Sequence, residues 1–156
     1  MDCPFHILLA DNHPGFCREM KKILEEIPGV KVTGAAGNRS ELFERLRQSP
    51  AQLVLLDICL PGLRAREGIQ LIKFSYPETQ VLLTVLDQEN EYLSYGLAAG
   101  AAGVLQKQYV GGQIAPAIAA VRQGRFYVPP YTPEKKLLAK YGPEGAEAWP
   151  AGTTSR

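Results

Sequence analysis

The stretch LVLLDICLPG, residues 53–62, places a carboxylate at the end of an unbroken apolar run. The apolar residues predict a strand buried on both faces, and the Pro-Gly pair that follows Asp57 predicts a turn. An ionised carboxylate at the end of a buried strand is costly unless another group compensates its charge. The stretch therefore indicates a parallel sheet in which Asp57 has polar partners at the ends of other strands.

Strand-like and helix-like segments alternate over most of the 156 residues. Apolar or alternating runs predict strands at 5–10, 30–36, 52–56, 80–86 and 102–106. Each precedes a segment with helical spacing of its apolar residues, at 14–27, 38–49, 66–76, 89–100 or 113–124. The last helix is expected to begin near Gln113, because Pro116 suits a first helical turn but not a helix interior. The five β-α units predict a doubly wound α/β domain, with a parallel sheet between two layers of helices.

Four polar residues lie at or just beyond the carboxyl ends of four predicted strands: Asp11, Asp57, Thr84 and Lys107. The carboxyl ends of parallel strands share one edge of the sheet, where open α/β sheets bind their ligands. Two carboxylates suit a hard cation such as Mg²⁺, and a lysine or a hydroxyl suits a phosphoryl oxygen. Because a carboxylate can itself be the nucleophile in phosphoryl transfer, the pattern favours phosphoryl chemistry at this edge.

Motifs in a fixed order over residues 5–128 resemble the receiver domain of two-component response regulators, most closely the NarL/FixJ type. They include ILLADNHPGF (7–16), VLLDICLPG (54–62), GLAAGAAGVLQK (96–107) and FYVPP (126–130). The resemblance implies a CheY-like, flavodoxin-like sheet with the strand order 2-1-3-4-5. It also implies a cytoplasmic signalling switch rather than a metabolic enzyme, phosphorylated by a sensor histidine kinase with the help of Mg²⁺.

The same resemblance assigns a role to each residue of the site. Asp57 is expected to accept the phosphoryl group, and Thr84 and Lys107 to complete the catalytic set. The metal site is expected to comprise Asp11, Asn12, Asp57 and Cys59.

Three positions depart from the family pattern. Asn12 stands where a second acid is usual, so Mg²⁺ affinity is expected to be reduced. Val104 stands where many members have an aromatic residue, so weak coupling between the site and the fifth strand is expected. Arg64 and Ala65 replace a common Asp-Gly pair, without a change in loop length.

Alternative functions follow from these departures and from the fold. A pseudo-receiver would act as a dimerisation or protein-binding module without phosphorylation. A flavin or nucleotide enzyme is disfavoured, because the loop DNHPG (11–15) lacks the Gly/Ser/Thr run that cradles a phosphate. A metal site built from Cys3, His6, His13 and Cys17 is disfavoured as well, because their spacing is not that of a zinc site.

The remainder of the chain bears on domains and partners. Residues 1–128 are expected to form the receiver domain, and the Pro- and Gly-rich residues 129–156 a linker or tail with a possible short helix near 134–141. A formal net charge of +1 gives no field that favours nucleic acid or a membrane. DNA binding is therefore expected only through an output domain that is absent from the chain, which is either a fragment of a longer regulator or naturally short. Homodimerisation stays open.

Overall fold

A five-stranded parallel sheet forms the centre of the molecule. The structure, a computed structural model, describes residues 3–86, 95–96 and 98–127. The strands are β1 (Phe5–Ala10), β2 (Val30–Ala36), β3 (Leu53–Asp57), β4 (Gln80–Val85) and β5 (Gly103–Gln106). They lie in the order β2-β1-β3-β4-β5, and every pair is parallel. The predicted fold class and strand order are confirmed.

Helices connect these strands, and local sequence explains where they begin. They are α1 (Pro14–Glu25), α2 (Arg39–Gln48), α3 (Ala65–Ser75) and α4 (Val110–Arg122). Pro14 occupies the first turn of α1, where its missing N–H costs no hydrogen bond. Asn38 caps α2, because its side chain accepts a hydrogen bond from the Glu41 N–H at 2.9 Å.

The start of α4 corrects the prediction made from Pro116. The helix begins at Val110 rather than near Gln113, so Pro116 lies inside it. A 3₁₀ turn over Lys107–Tyr109 leads directly into the helix, and the buried Val110 anchors its first turn. The missing N–H of Pro116 leaves the carbonyl of Gly112 without its usual helical donor. Both residues are exposed, so water can satisfy that carbonyl.

Two predicted segments lie wholly or partly beyond the structural description. Residues 95, 96, 98 and 99 are helical, and Gly100 ends this helix with a φ of 108°. The earlier part of the helix predicted at 89–100 falls outside the described residues. So do the predicted linker at 129–156 and its short helix.

The sheet is covered on both faces by apolar side chains. Leu53 and Leu55 of β3 join a core with α1 and α4, whereas Val54 and Leu56 join a core with α2 and α3. The alternation follows from the two-residue period of a strand. Burial on both faces leaves the ends of the strands as the places where polar groups reach solvent. None of the helices in the described residues has the length and apolar character needed to cross a bilayer.

Gly103 is predicted to be essential for the packing of β5. A Cβ at this position would lie 2.7 Å from the backbone oxygen of Tyr127 and 3.1 Å from Cδ2 of Leu82. Gly103→Ala should therefore lower the free energy of unfolding by about 2 kcal/mol through overpacking. Gly111→Ala is the matched control, because nothing lies within 4 Å of its added Cβ. Equal denaturant midpoints for the two variants would contradict this account of Gly103.

Candidate functional site

The register of the sheet brings Asp57 and Thr84 to the same edge. Asp57 is the last residue of β3, and Thr84 of β4 lies directly opposite it. After Asp57 the Ile58 N–H still donates to the Thr84 carbonyl at 3.0 Å. The chain then turns, with the Leu60 N–H donating to the Asp57 carbonyl at 3.1 Å. The Asp57 side chain is only 3% exposed.

Asp11 reaches the same edge from the end of β1. Its N–H donates to the Ala36 carbonyl of β2 at 2.8 Å. One carboxylate oxygen, Oδ1, accepts the backbone N–H of His13 at 2.9 Å, a turn that leads the chain into Pro14 and α1. The His13 ring folds back onto this oxygen, with Nδ1 at 2.7 Å from Oδ1.

Lys107 places an ammonium group between the two carboxylates. Its Nζ lies 2.6 Å from Oδ2 of Asp11 and 3.4 Å from Oδ1 of Asp57. It also lies 3.3 Å from Nδ1 of His13 and 4.7 Å from the centre of the Phe16 ring. The side chain is only 9% exposed. Lys107 therefore supplies a largely desolvated positive charge where two buried negative charges meet.

Burial raises the pKa of the Asp57 carboxyl above its ordinary value, and the negative charge of Asp11 raises it further. The Lys107 ammonium and the backbone N–H of Cys59 act in the opposite direction. The second oxygen of Asp57, Oδ2, is buried and has no hydrogen-bond partner within the described part of the chain. Such an oxygen is available to a cation or to a new covalent bond.

The model of a protein family, "Response regulator receiver domain", matches residues 7–119. The chain belongs to the response regulator receiver family. The response regulator UvrY of Escherichia coli K12 is 28% identical over 143 residues, covering 92% of this chain and 66% of UvrY. The transcriptional regulatory protein MctR of Rhizobium johnstonii is 34% identical over 121 residues, covering 78% of this chain and 56% of MctR. The chain thus spans about two thirds of the length of UvrY and just over half of the length of MctR.

A solved structure of RcsB from Salmonella enterica serovar Typhimurium has a similar fold. The match has a TM-score of 0.75 and 25% identity, and it covers 88% of this chain and 67% of the RcsB chain. That RcsB structure is bound to a promoter in the presence of the phosphomimetic BeF₃⁻.

The remaining predicted site residues of the receiver occupy different environments. Thr84 is 1% exposed, and its hydroxyl donates to the Leu56 carbonyl at 3.5 Å. Asn12 is exposed beside Asp11. Cys59 is exposed too, and its thiol is not part of the group of His, Cys, Asp and Glu ligand atoms found at this edge of the described structure. Its assignment to the metal site stays a prediction.

His13 is the site residue that the sequence prediction missed. Asp11, His13 and Asp57 offer ligand atoms that all lie within 4.8 Å of one another. The grouping of His13 with Cys3, His6 and Cys17, which its spacing disfavoured, is not found among the ligand clusters of the described residues, where His13 lies with the two aspartates. The Asp-x-His-Pro spacing was the available signal, since an aspartate often accepts the N–H two residues later.

Val104 is enclosed by small and aliphatic neighbours. It is 4% exposed, and a Cβ on Gly96 would lie 2.8 Å from its Cγ2. A side chain at position 96 would therefore displace Val104, so the glycine allows this close approach. Nearby, the Tyr95 hydroxyl accepts the Arg66 N–H at 2.8 Å and so joins this region to the start of α3.

Proposed function

We propose that Asp57 accepts a phosphoryl group from a sensor histidine kinase and that a divalent cation assists the transfer. The observation that carries this proposal is the buried Asp57 carboxylate, which has one oxygen near Lys107 and the other without a hydrogen-bond partner in the described residues. Membership of the receiver family supports it, because phosphorylation of an aspartate is the signal these domains receive.

Receiver domains bind Mg²⁺ at an acidic site, and the residues present here suit such a cation. Asp11 and Asp57 are both buried, and the unpartnered Oδ2 of Asp57 is an oxygen donor of the kind Mg²⁺ prefers. These two carboxylates would hold the ion, and the amide oxygen of Asn12 would add a neutral ligand. The bound ion would neutralise negative charge between the carboxylate and the phosphoryl oxygens.

In the proposed reaction a carboxylate oxygen of Asp57 attacks the phosphorus atom of the donor. An O–P bond forms as the P–N bond to the kinase imidazole breaks, and the imidazole keeps the electron pair of that bond. The Lys107 ammonium then stabilises the negative charge of the phosphoryl oxygens, because it already lies within reach of Asp57. The Thr84 hydroxyl, aligned with Asp57 in the sheet, is the second proposed donor to these oxygens.

The test is incubation of the chain with acetyl phosphate and Mg²⁺, followed by intact mass measurement. One added phosphoryl group, lost when EDTA replaces Mg²⁺, is the expected result. An unchanged mass would favour the second candidate, a pseudo-receiver that acts through protein contacts or dimerisation. The observations that motivate this second candidate are Asn12 in place of an acid and the aliphatic Val104 in place of an aromatic residue.

The domain organisation and partners belong to the same proposal. Residues 1–128 would form the receiver, and residues 129–156 a linker towards a DNA-binding output domain. RcsB bound to a promoter with a phosphomimetic supports a role in transcriptional regulation. The cytoplasm is the proposed compartment, because a histidine kinase delivers its phosphoryl group there.

Asn12→Asp is expected to tighten Mg²⁺ binding by about tenfold, because affinity for hard cations rises with the charge of the ligand set. The added carboxylate would also repel Asp11 and so lower the stability of the metal-free protein. Calorimetric titration with Mg²⁺ and thermal unfolding in EDTA measure the two effects. Unchanged Mg²⁺ affinity would mean that position 12 is not a metal ligand.

A further inference from the structure

We infer that His13 is a direct ligand, through Nδ1, of the divalent cation held by Asp11 and Asp57. The site would then be a mixed nitrogen and oxygen site that takes a transition-metal ion such as Mn²⁺ in addition to Mg²⁺. This inference rests on the proposed metal site and goes beyond it, because it assigns a ligand and a class of metal.

The three side chains are close to a coordinating arrangement. Their nearest ligand atoms all lie within 4.8 Å of one another. Metal–ligand bonds of about 2.1 Å place ligand atoms on opposite sides of an ion about 4.2 Å apart. Side-chain movements that include withdrawal of the Lys107 ammonium would therefore bring Asp11, His13 and Asp57 around one ion.

A cation already lies among these three side chains. The Lys107 ammonium is 2.6 Å from Asp11, 3.4 Å from Asp57 and 3.3 Å from Nδ1 of His13. The nitrogen of His13 thus faces the position that a positive charge occupies. The buried Oδ2 of Asp57, without a hydrogen-bond partner in the described residues, is an independent indication that a ligand belongs here.

The chemistry of imidazole determines which ions benefit. Mg²⁺ strongly prefers oxygen ligands, whereas first-row transition ions accept both imidazole nitrogen and carboxylate oxygen. Coordination through Nδ1 requires the ring proton to be on Nε2, which replaces the contact between Nδ1 and Oδ1 of Asp11. The His13 side chain is 58% exposed, so water can solvate the rest of the ring.

A structural role for His13 is the competing explanation. Its backbone N–H and its ring both contact Oδ1 of Asp11, so His13 could act only by holding that carboxylate in place. Removal of the ring would then weaken the binding of Mg²⁺ and Mn²⁺ equally. A ligand role predicts that removal of the ring weakens Mn²⁺ binding more than Mg²⁺ binding. It also predicts a ¹⁴N signal in the spectrum of bound Mn²⁺.

Pulsed electron paramagnetic resonance of Mn²⁺ added to the chain separates the two roles. The chain has two histidines, so His6→Ala is the matched control. We expect ¹⁴N modulation in the wild type and in His6→Ala, and none in His13→Ala or His13→Gln. Calorimetry should show that both His13 variants lose Mn²⁺ affinity by about tenfold or more. Their loss of Mg²⁺ affinity should be about twofold or less.

Modulation that persists in the His13 variants, or that is absent from the wild type, would overturn the inference. Equal losses for Mn²⁺ and Mg²⁺ would overturn it as well. The same samples, treated with acetyl phosphate and Mg²⁺, test the proposed function separately. Phosphorylation without ¹⁴N modulation would reject only the ligand role of His13. Modulation without phosphorylation would reject the phosphoacceptor role of Asp57 and support the metal site.

Discussion

Asp57→Asn is expected to abolish phosphorylation and to stabilise the metal-free protein at neutral pH. An asparagine amide is not a nucleophile for phosphoryl transfer, so acetyl phosphate with Mg²⁺ should add no mass. The gain in stability has a different cause. Asp57 is 3% exposed and lies beside Asp11, so its negative charge is costly despite the contact with Lys107. Removing that charge should raise the free energy of unfolding by about 1 kcal/mol.

The pH dependence of this gain follows from the raised pKa of Asp57. Because the folded-state pKa lies above the unfolded value of about 3.9, the folded wild type binds the proton more tightly. The contribution of Asp57 to stability is therefore complete below about pH 3.9 and is lost as pH rises through the folded-state pKa. The advantage of Asp57→Asn should be present at neutral pH and should shrink in acid.

Denaturant unfolding in EDTA at several pH values measures this dependence. Glu67→Gln is the control, because Glu67 is an exposed carboxylate paired with Arg39, and exposed ion pairs contribute little to stability. If Asp57→Asn is less stable than the wild type at neutral pH, the contacts with Lys107 outweigh the cost of burying Asp57, contrary to this account.

Lys107→Ala is expected to destabilise the metal-free protein by about 2 kcal/mol. Loss of one member of a buried ion pair leaves its partner charged and uncompensated, which typically costs about 3–5 kcal/mol. The smaller value is expected here because removal of the Lys107 side chain, which is 9% exposed, lets water reach the carboxylates at this edge. Two carboxylates, Asp11 and Asp57, would then face each other with no cation between them.

Mg²⁺ should reverse most of this loss, because a bound divalent ion supplies the missing positive charge. Lys73→Ala is the control: Lys73 is also partly buried, but its ammonium lies near the Thr79 carbonyl and the Gln80 side chain rather than near the site. Thermal unfolding in EDTA and in Mg²⁺ provides the measurement. Equal recovery of both lysine variants by Mg²⁺ would show that Lys107 does not balance the charge of this site.

Much of the fold and of the site could be predicted because both depend on periodic patterns. The apolar run of β3 fixes its burial, and burial on both faces requires helices above and below the sheet. Once the strands are parallel, Asp11, Asp57 and Lys107 must lie on the same edge of the sheet, at the carboxyl ends of their strands. The strand order itself came from the family resemblance, because apolar periodicity does not encode which strands are neighbours.

The features that could not be predicted depend on contacts between distant side chains. The place of His13 depends on a turn around Asp11 and on Lys107, which lies 94 residues away in the chain. The early start of α4 depends on the burial of Val110, a tertiary contact that outweighs the local effect of Pro116. The close fit of Val104 against Gly96 likewise has no signature in either local sequence.

Asp57 is the residue proposed to carry the phosphoryl group. Borohydride reduces an acyl phosphate on aspartate to homoserine, which marks the residue permanently for peptide mass spectrometry. After treatment with acetyl phosphate and Mg²⁺, this account predicts homoserine at position 57 and unmodified aspartate at position 11. Homoserine at any other position, or a phosphorylated chain with an intact Asp57, would contradict it.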